Sequence, residues 1–291
     1  MTRKNKANFM IFVATIFWGA SYSFTKIGLG SFGVFNLIAI RFILGFAVSI
    51  LALRRYIEIN KRVLAYSAGL GSLLFMAFTT MTMALKYTTA SNAGFLIGSL
   101  VIIIPIISFF LFKERIEKKF ILGSLMALLG IGLITLDSRL TMNRGDILAL
   151  LCAVLFALHI ILTGKLTKKV DSISLGVFQL GVVGLMSFTT SVVTEEFYIP
   201  SSKNLWVIIL FLSIICTAFG YVVQTVAQQE ASSGMTGLLI SLEPLFSAVV
   251  AYFILGEVMS GRALTGGGIL LGSLILVQAN PVRVKESLLK E

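Results

Sequence analysis

The most constraining feature of this sequence is a succession of ten long apolar windows. Each holds roughly 20 residues, the length that a helix needs to cross about 30 Å of hydrocarbon. The windows lie near residues 8–28, 34–53, 64–85, 90–112, 120–136, 146–164, 173–194, 205–229, 232–255 and 263–280. Only 13% of the residues are charged. We therefore predict an all-α integral membrane protein with ten transmembrane helices in the lipid bilayer and no soluble domain.

The basic residues indicate how these helices are oriented. The net charge of +11 would suggest a nucleic-acid partner in a soluble protein. Here 17 of the 24 lysines and arginines fall on the side of the membrane that holds the N-terminus. The positive-inside rule then predicts cytoplasmic N- and C-termini and no nucleic-acid partner. The first window could be a signal peptide, but its apolar stretch is longer than usual and a second window follows almost at once.

The chain matches itself at two offsets. At an offset of 138 residues, Trp18 pairs with Phe156, Thr25 with Thr163 and Arg41 with Gln179. At an offset of 143, the pairs are Ala84 and Ala227, Gly94 and Gly237, Leu96 and Leu239, Ile97 and Ile240, Phe110 and Phe253, Glu114 and Glu257, Gly123 and Gly266, Leu128 and Leu271, and Leu133 and Leu276. The chain thus reads as two five-helix repeats, residues 1–138 and 139–291.

An odd number of spans in each repeat places the second repeat upside down in the membrane. The loop FKERIEKK after the fourth window carries four positive charges, and its counterpart LGEVMSGR carries one. This asymmetry supports inversion against the alternative that apolar helices match by chance. Inverted repeats recur in secondary transporters, where the site lies between the repeats near the middle of the membrane.

Three stretches resemble a known family. FWGASYSFTKIGL resembles the WGxxxxxxK signature in the first helix of the EamA-type branch of the drug/metabolite transporter superfamily. ALKYTTASNAGFL with PIISFFLFKERIEKKFILGSLMALLGIGLI resembles the third to fifth helices, and SLEPLFSAVVAYFILGEVMSGRALTGGGILLGSLIL the ninth and tenth. The resemblance implies a ten-helix inverted-repeat carrier in the bacterial plasma membrane, commonly exporting amino acids or other small metabolites.

Other motifs argue against cofactors and enzymatic chemistry. GLGSFG at residues 28–33 matches a dinucleotide-binding pattern in letters, but that mechanism needs a preceding strand and these residues join two predicted membrane helices. The sequence contains no Walker A motif, HExxH or metal-binding Cys/His spacing, and Cys152 and Cys216 are predicted packing thiols. We expect no cofactor, metal or enzyme activity. A proton or counter-substrate would have to drive uphill transport.

Polar residues inside the windows are candidates for a site. Burying them costs free energy unless they have partners or line a wet cavity, so cavity lining and scattered interhelical hydrogen bonds are the two interpretations. His159 could relay protons or simply bridge two helices. Arg41 could snorkel toward the outer surface, and the resemblance favours a buried structural role for it. The predicted substrate-binding or coupling residues are Trp18, Tyr22, Arg41, His159, Gln179, Tyr221, Gln224 and Glu243.

Glu243 is the most unusual of these residues because it lies near the middle of the ninth window. A charge there costs about 3 kcal/mol even on the lenient insertion scale. Pro244 follows and has no N–H for the carbonyl of Ile240, so we predict a kink. Pro105 predicts a related kink in the fourth window, without an acid. Glu243 could carry a coupling proton, bind an amine or hydroxyl of the solute, or pair with Arg41 or backbone donors.

Glycines four residues apart indicate close helix packing in two windows. Gly94 and Gly98 lie in the fourth window, and Gly268 and Gly272 in the tenth. Such pairs let two backbones approach within one subunit or between subunits. The tenth helix is therefore a candidate contact in a homodimer.

The sequence as a whole predicts a secondary active transporter. Its solute would be a small metabolite, an amino acid or a related amphipathic molecule, moved outward by alternating access. The alternative within transport is a small-drug or other metabolite exchanger or importer of the same family. A membrane-embedded enzyme is the alternative outside transport, but the loops lack the paired acids and histidine that it would need.

Overall fold

The chain is α-helical throughout the part described by the computed structural model, which covers residues 2–88, 90–113, 117–135, 143–200, 202–255 and 261–278. The helices are α1 (Arg3–Leu29), α2 (Val34–Leu53), α3 (Lys61–Tyr87), α4 (Ala90–Gly98), α5 (Leu100–Phe112), α6 (Lys118–Thr135), α7 (Arg144–Leu166), α8 (Ser172–Thr194), α9 (Lys203–Leu210), α10 (Gly220–Ala227), α11 (Ser233–Ile240), α12 (Glu243–Leu255) and α13 (Gly261–Gln278). A 3₁₀ turn (Arg54–Tyr56) follows α2, and a π-helical segment (Phe211–Phe219) joins α9 to α10.

These helices form ten spans at the places that the sequence predicts. Eight helical segments of the described chain are long and apolar enough to cross a membrane, and the apolar stretch 264–277 within α13 is shorter. The spans are numbered one to ten in the order α1, α2, α3, α4 with α5, α6, α7, α8, α9 with the π segment and α10, α11 with α12, and α13. The predicted all-α membrane fold is confirmed.

Polar side chains fix several span ends. Asn60 and Asp171 cap α3 and α8 by accepting hydrogen bonds from first-turn N–H groups. Asn143 and Asp146 form a reciprocal capping box at the start of α7. Asp146 also accepts a 2.7 Å hydrogen bond from the hydroxyl of Thr88. The cap thereby joins the end of span three to the start of span six, where backbone donors need partners.

The contacts between spans are symmetric with respect to the two halves of the chain. Span five packs on span ten, and span two on span seven. Span one packs on span eight as span three packs on span six, and span one packs on span nine as span four packs on span six. If each span of a contacting pair is replaced by the span five places along the chain, the new pair is also in contact. A pseudo-two-fold relation between two five-span repeats explains this pattern.

Hydrogen bonds at two opposite rims of the bundle follow the same symmetry. At one rim, Asn36 Nδ2 donates to the backbone carbonyl of Glu196 at 3.2 Å, and Glu195 Oε2 accepts from the Asn36 N–H at 2.9 Å. At the other rim, the Glu58 N–H donates to Ser174 Oγ at 2.7 Å. The offset of 138 carries Asn36 to Ser174 and Glu58 to Glu196. Equivalent positions thus join the two repeats at both rims.

Glycines bring spans five and ten into backbone contact. A Cβ added to Gly130 would lie 2.7 Å from the Gly266 carbonyl oxygen, and one added to Gly266 would lie 2.6 Å from the Gly130 carbonyl oxygen. A Cβ added to Gly123 would collide with the side chain of Val277 in α13. Gly268 behaves differently, because no atom lies within 4 Å of an added Cβ. Gly266 is therefore the glycine of α13 that packs on the α6 backbone, and a homodimer contact through Gly268 stays a prediction.

Spans four and nine are both interrupted near their middles. Span four breaks at Ser99 and span nine at residues 241–242. In each break a serine hydroxyl bonds back to a carbonyl three residues earlier, Ser99 to Leu96 and Ser241 to Leu238. The predicted break beside Pro244 is present. The break in span four precedes Pro105 by six residues, and α5 continues through that proline, because Ser99 tightens the turn instead.

Some predicted features lie outside the described residues. The boundary between the repeats at 138/139 is one of them, and the loop residues Glu114 and Glu257 are others.

The glycine contact between α6 and α13 predicts a large difference between two alanine substitutions. Gly130→Ala forces a Cβ against the Gly266 backbone and should cost about 1–3 kcal/mol of stability. Gly268→Ala faces open space and should be neutral. Thermal unfolding of the purified variants in one detergent measures the difference. Equal melting temperatures for the two variants would contradict this packing.

Candidate functional site

A cavity lies among the spans where the two repeats meet. It encloses about 590 Å³ of space between atoms, its opening included. Its lining comes from both broken spans and from spans one, two, three, six and eight. The lining residues are Trp18, Ser21, Tyr22, Arg41, Phe78, Met81, Gly94, Ile97, Gly98, Leu100, Phe156, Ile160, Tyr221, Gln224, Ile240, Glu243 and Pro244.

Most of this lining consists of matched positions in the two repeats. The two sequence offsets relate pairs of lining residues that stand on equivalent spans, so the cavity straddles the pseudo-two-fold relation. The pairs are Trp18 and Phe156, Tyr22 and Ile160, Phe78 and Tyr221, Met81 and Gln224, Ile97 and Ile240, and Leu100 and Glu243. Equivalent positions of both repeats therefore line the cavity, but the matched side chains differ in polarity, as Leu100 and Glu243 do.

The π segment of span eight supplies hydrogen-bond acceptors to two lining residues. Trp18 Nε1 donates to the Cys216 carbonyl at 2.7 Å, and Arg41 Nε donates to Thr217 Oγ1 at 2.6 Å. The aligned part of α3 is ordinary α-helix. Short π-helical stretches often mark functional sites, since they redirect backbone groups that an α-helix would pair internally.

Two glycines make room for the first span at this point. A Cβ on Gly19 would lie 2.6 Å from the Cβ of Phe246 in α12. A Cβ on Gly220 would lie 2.7 Å from Trp18 Nε1. The adjacent Trp18 and Gly19 therefore act together: the indole reaches span eight while the backbone lies against span nine.

Glu243 is the first residue of α12 and is partly exposed to the cavity. Tyr22 lines the same cavity. Arg41 lines the same cavity, but among the described residues it makes no salt bridge to Glu243 within 4.0 Å. The ion pair between Arg41 and Glu243, which the sequence left open, is not formed here.

Aromatic rings form one wall of the cavity. The ring centroids of Trp18 and Tyr221 lie 5.1 Å apart, those of Phe78 and Tyr221 5.7 Å, and those of Phe78 and Phe156 5.8 Å. Edge-to-face and tilted arrangements at such distances are favourable. The guanidinium carbon of Arg41 lies 4.9 Å from the Phe78 ring centroid, within cation–π range. The wall thus combines apolar surface with one cation.

His159 and Gln179 lie behind this wall in a buried chain of hydrogen bonds. Thr225 Oγ1 donates to the Tyr221 carbonyl and accepts from Gln179 Nε2 at 2.9 Å. Gln179 Oε1 therefore faces His159 Nε2 at 2.8 Å, and His159 is the donor. His159 Nδ1 has no partner among the described residues. The chain holds the back of Tyr221, which itself faces the cavity.

A second polar chain supports Gln224. Gln224 Nε2 donates to Gln228 Oε1 at 3.0 Å, and Gln228 Nε2 donates to the Ile160 carbonyl at 2.8 Å. This chain ties span eight to span six, and both Gln224 and Ile160 line the cavity.

The structure brings six of the eight predicted site residues together at the cavity: Trp18, Tyr22, Arg41, Tyr221, Gln224 and Glu243. His159 and Gln179 are fully buried outside the lining, and a direct role for them stays a prediction. Residue-by-residue reasoning missed several lining positions because they are apolar. Five of them, Phe78, Met81, Leu100, Phe156 and Ile160, are the repeat partners of residues that were predicted, so applying the two offsets would have found them.

Two repeated sets of membrane spans around a cavity of mixed polarity define a membrane carrier. The comparison with protein families gives the same class. The model described as "EamA-like transporter family" matches residues 5–136 and 143–278. The chain belongs to the EamA-like transporter family; it is a membrane transporter and not an enzyme.

Known proteins resemble the chain over nearly its whole length. Two uncharacterized transporters of Archaeoglobus fulgidus are 26% and 28% identical to it; the alignments cover 91% and 94% of this chain and 83% and 98% of the relatives. The uncharacterized transporter YyaM of Bacillus subtilis is 23% identical over 97% of this chain and 96% of its own. A solved crystal structure superposes with a TM-score of 0.80, covering 94% of this chain and 97% of that one. Its 20% identity shows a shared fold alone.

The buried chain behind Tyr221 predicts a stability effect for Gln179→Leu. This change leaves His159 Nε2 without its acceptor and should cost about 1–3 kcal/mol. Gln229→Leu is the matched control, because Gln229 is exposed and makes only a 3.3 Å contact. Thermal unfolding of both variants tests the expectation. A Gln179→Leu protein as stable as the control would show that the chain contributes nothing.

Proposed function

We propose that the chain is a secondary transporter that moves a small amphipathic metabolite, an amino acid or a related solute, by alternating access. The observation that carries this proposal is the cavity lined by matched positions of both repeats. Rocking one repeat against the other around such a cavity opens it to each side in turn. The solute then never meets the hydrocarbon.

The chemistry of the lining supports an amphipathic solute. Trp18, Phe78 and Tyr221 provide apolar surface, and Arg41 and Glu243 provide opposite charges within one cavity. A solute with an apolar part and both charges, as in an amino acid, complements all three features. An uncharged drug would leave the buried guanidinium group of Arg41 without an anionic partner, which is costly.

The direction and orientation are part of the same proposal. We place both termini in the cytoplasm and the chain in the plasma membrane. Arg54, Arg55, Lys61 and Arg62 lie on one rim with Lys165, Lys168 and Lys169, and such a basic rim faces the cytoplasm under the positive-inside rule. Outward movement of the solute is the expected direction, driven by a proton or by exchange for a counter-substrate.

Glu243 is the proposed coupling or solute-binding group. Among the described lining residues it has the one carboxyl group, it lies where span nine is interrupted, and its repeat partner is Leu100. A carboxyl group at the positive end of α12 beside the Tyr22 hydroxyl can exchange a proton or hold an amine. Both roles need the opening in the helix that Pro244 and Ser241 create.

Blocking the cavity should abolish transport without unfolding the protein. An added Cβ on Gly94 has only the Pro244 ring near it, at 3.9 Å. Gly94→Leu should therefore fill the cavity, while Gly268→Leu faces away from it. Proteoliposomes loaded with a panel of radiolabelled amino acids are assayed for flux. We expect loss in the first variant and wild-type flux in the second; equal flux would show that solute does not cross through this cavity.

Glu243→Gln should separate the two roles of the carboxyl group. Flux is measured in proteoliposomes under a pH gradient and, separately, as solute exchange at equal pH. Retained exchange with a lost response to the gradient identifies a proton carrier; loss of both with a folded protein identifies solute binding. Glu230→Gln, an exposed position, serves as control. A variant that matches the wild type in both assays would contradict a functional Glu243.

A further inference from the structure

Arg41 is a buried cation whose hydrogen bonds are mostly unused. Its side chain is 3% exposed and lines the cavity. Its Nε donates to Thr217 Oγ1 at 2.6 Å, whereas a guanidinium group has five N–H donors. Among the described residues, no other hydrogen bond of Arg41 and no acidic partner within 4.0 Å is present. The two terminal nitrogens therefore keep four N–H donors for another group.

Two neighbours limit where these donors can act. Thr217 Oγ1 occupies the Nε donor, and the guanidinium carbon lies over the ring of Phe78, 4.9 Å from its centroid. Since Arg41 lines the cavity, the two terminal nitrogens are the donors left for a group bound there. A planar fork of this kind matches a carboxylate through two parallel hydrogen bonds.

The repeat partner of Arg41 has its hydrogen bonds satisfied within the protein. Gln179 is fully buried, lies outside the cavity lining and is bonded at both ends of its amide, to His159 and to Thr225. Arg41 is bonded at one nitrogen and faces the cavity. Protein groups bond both ends of the Gln179 amide, whereas most of the N–H donors of Arg41 have no acceptor among the described residues.

We propose that the terminal nitrogens of Arg41 bind the carboxylate of the transported solute, with Thr217 as a positioning residue that fixes the guanidinium edge. The inference rests on the proposed transport function and narrows it to solutes that carry a carboxylate. Glu243 and Tyr22, across the same cavity, receive the other polar group of the solute.

Matched ligand pairs test this assignment. Leucine, phenylalanine and threonine are each compared with their amides, which lack the carboxylate, at a pH of about 6, where the amino groups of both are charged. Isothermal titration calorimetry on the purified full-length transporter gives the affinities. We expect at least one acid to bind about tenfold or more tightly than its amide. Sodium acetate in a parallel titration separates binding of a solute from binding of any free carboxylate ion.

Substitutions test whether the guanidinium group of Arg41 causes the tighter binding of the acid than of its amide. Arg41→Gln should reduce the ratio of acid to amide affinity to about one while leaving the amide affinity unchanged, and Arg41→Lys should leave an intermediate ratio. Thr217→Val retains the cation but frees its orientation, so a lowered ratio is expected there even if Arg41→Gln fails to fold. Arg144→Gln, at an exposed position, should keep the wild-type ratio.

Three results would overturn the assignment. They are a wild-type ratio near one, a ratio that survives in Arg41→Gln and Thr217→Val, and the absence of binding for every acid. Flux assays keep the transport function separate. Proteoliposomes that move the amides as fast as the acids would refute the role of Arg41 and leave transport intact, whereas no flux of any acid or amide would refute the proposed transport of amino acids.

Discussion

The structure depends on one requirement of the hydrocarbon environment: backbone N–H and C=O groups must find partners within the protein. Regular helices meet it by themselves, so every interruption needs a local solution. The breaks at Ser99 and Ser241 use serine hydroxyls, and the π segment pairs a carbonyl with Trp18 and a hydroxyl with Arg41. All three interruptions contribute to the region of the cavity. Irregular backbone is therefore concentrated around the cavity, where polar side chains also lie.

Close approach of the helices is the second condition for this arrangement. Without a hydrophobic driving force between spans in lipid, association depends on packing and hydrogen bonds. Gly130 and Gly266 let spans five and ten meet at the backbone, away from the cavity, while Gly19 lets span one lie against α12. The first contact stabilises a pair of helices at the edge of the bundle. The second holds Trp18 of span one next to the interruption of span nine, where Glu243 lies.

Much of the fold and of the candidate site could be predicted from the sequence, and the physical reason differs between the spans, the repeat and the interruptions. The ten spans were predictable because hydrophobic length alone specifies them. The repeat followed from matched residue pairs such as Gly123 and Gly266, each of which lies in the contact between α6 and α13. The break at Ser99 was missed because a proline is a visible signal and a serine is not. The π segment was missed because its stability comes from partners on other spans, Trp18 and Arg41, which no local pattern records.

The matched hydrogen bonds at the two rims have a consequence for energy. Asn36 and Ser174 are matched positions that bond to the matched positions Glu196 and Glu58, so an exchange of conformations between the repeats would carry this contact from one rim to the other. A bias between the two facing states then arises where the repeats differ. The π segment of span eight is one such difference, and the charged residues Glu243 and Arg41, whose repeat partners are Leu100 and Gln179, are others. The two side chains that we propose to contact the solute would thereby also influence the resting state of the empty carrier.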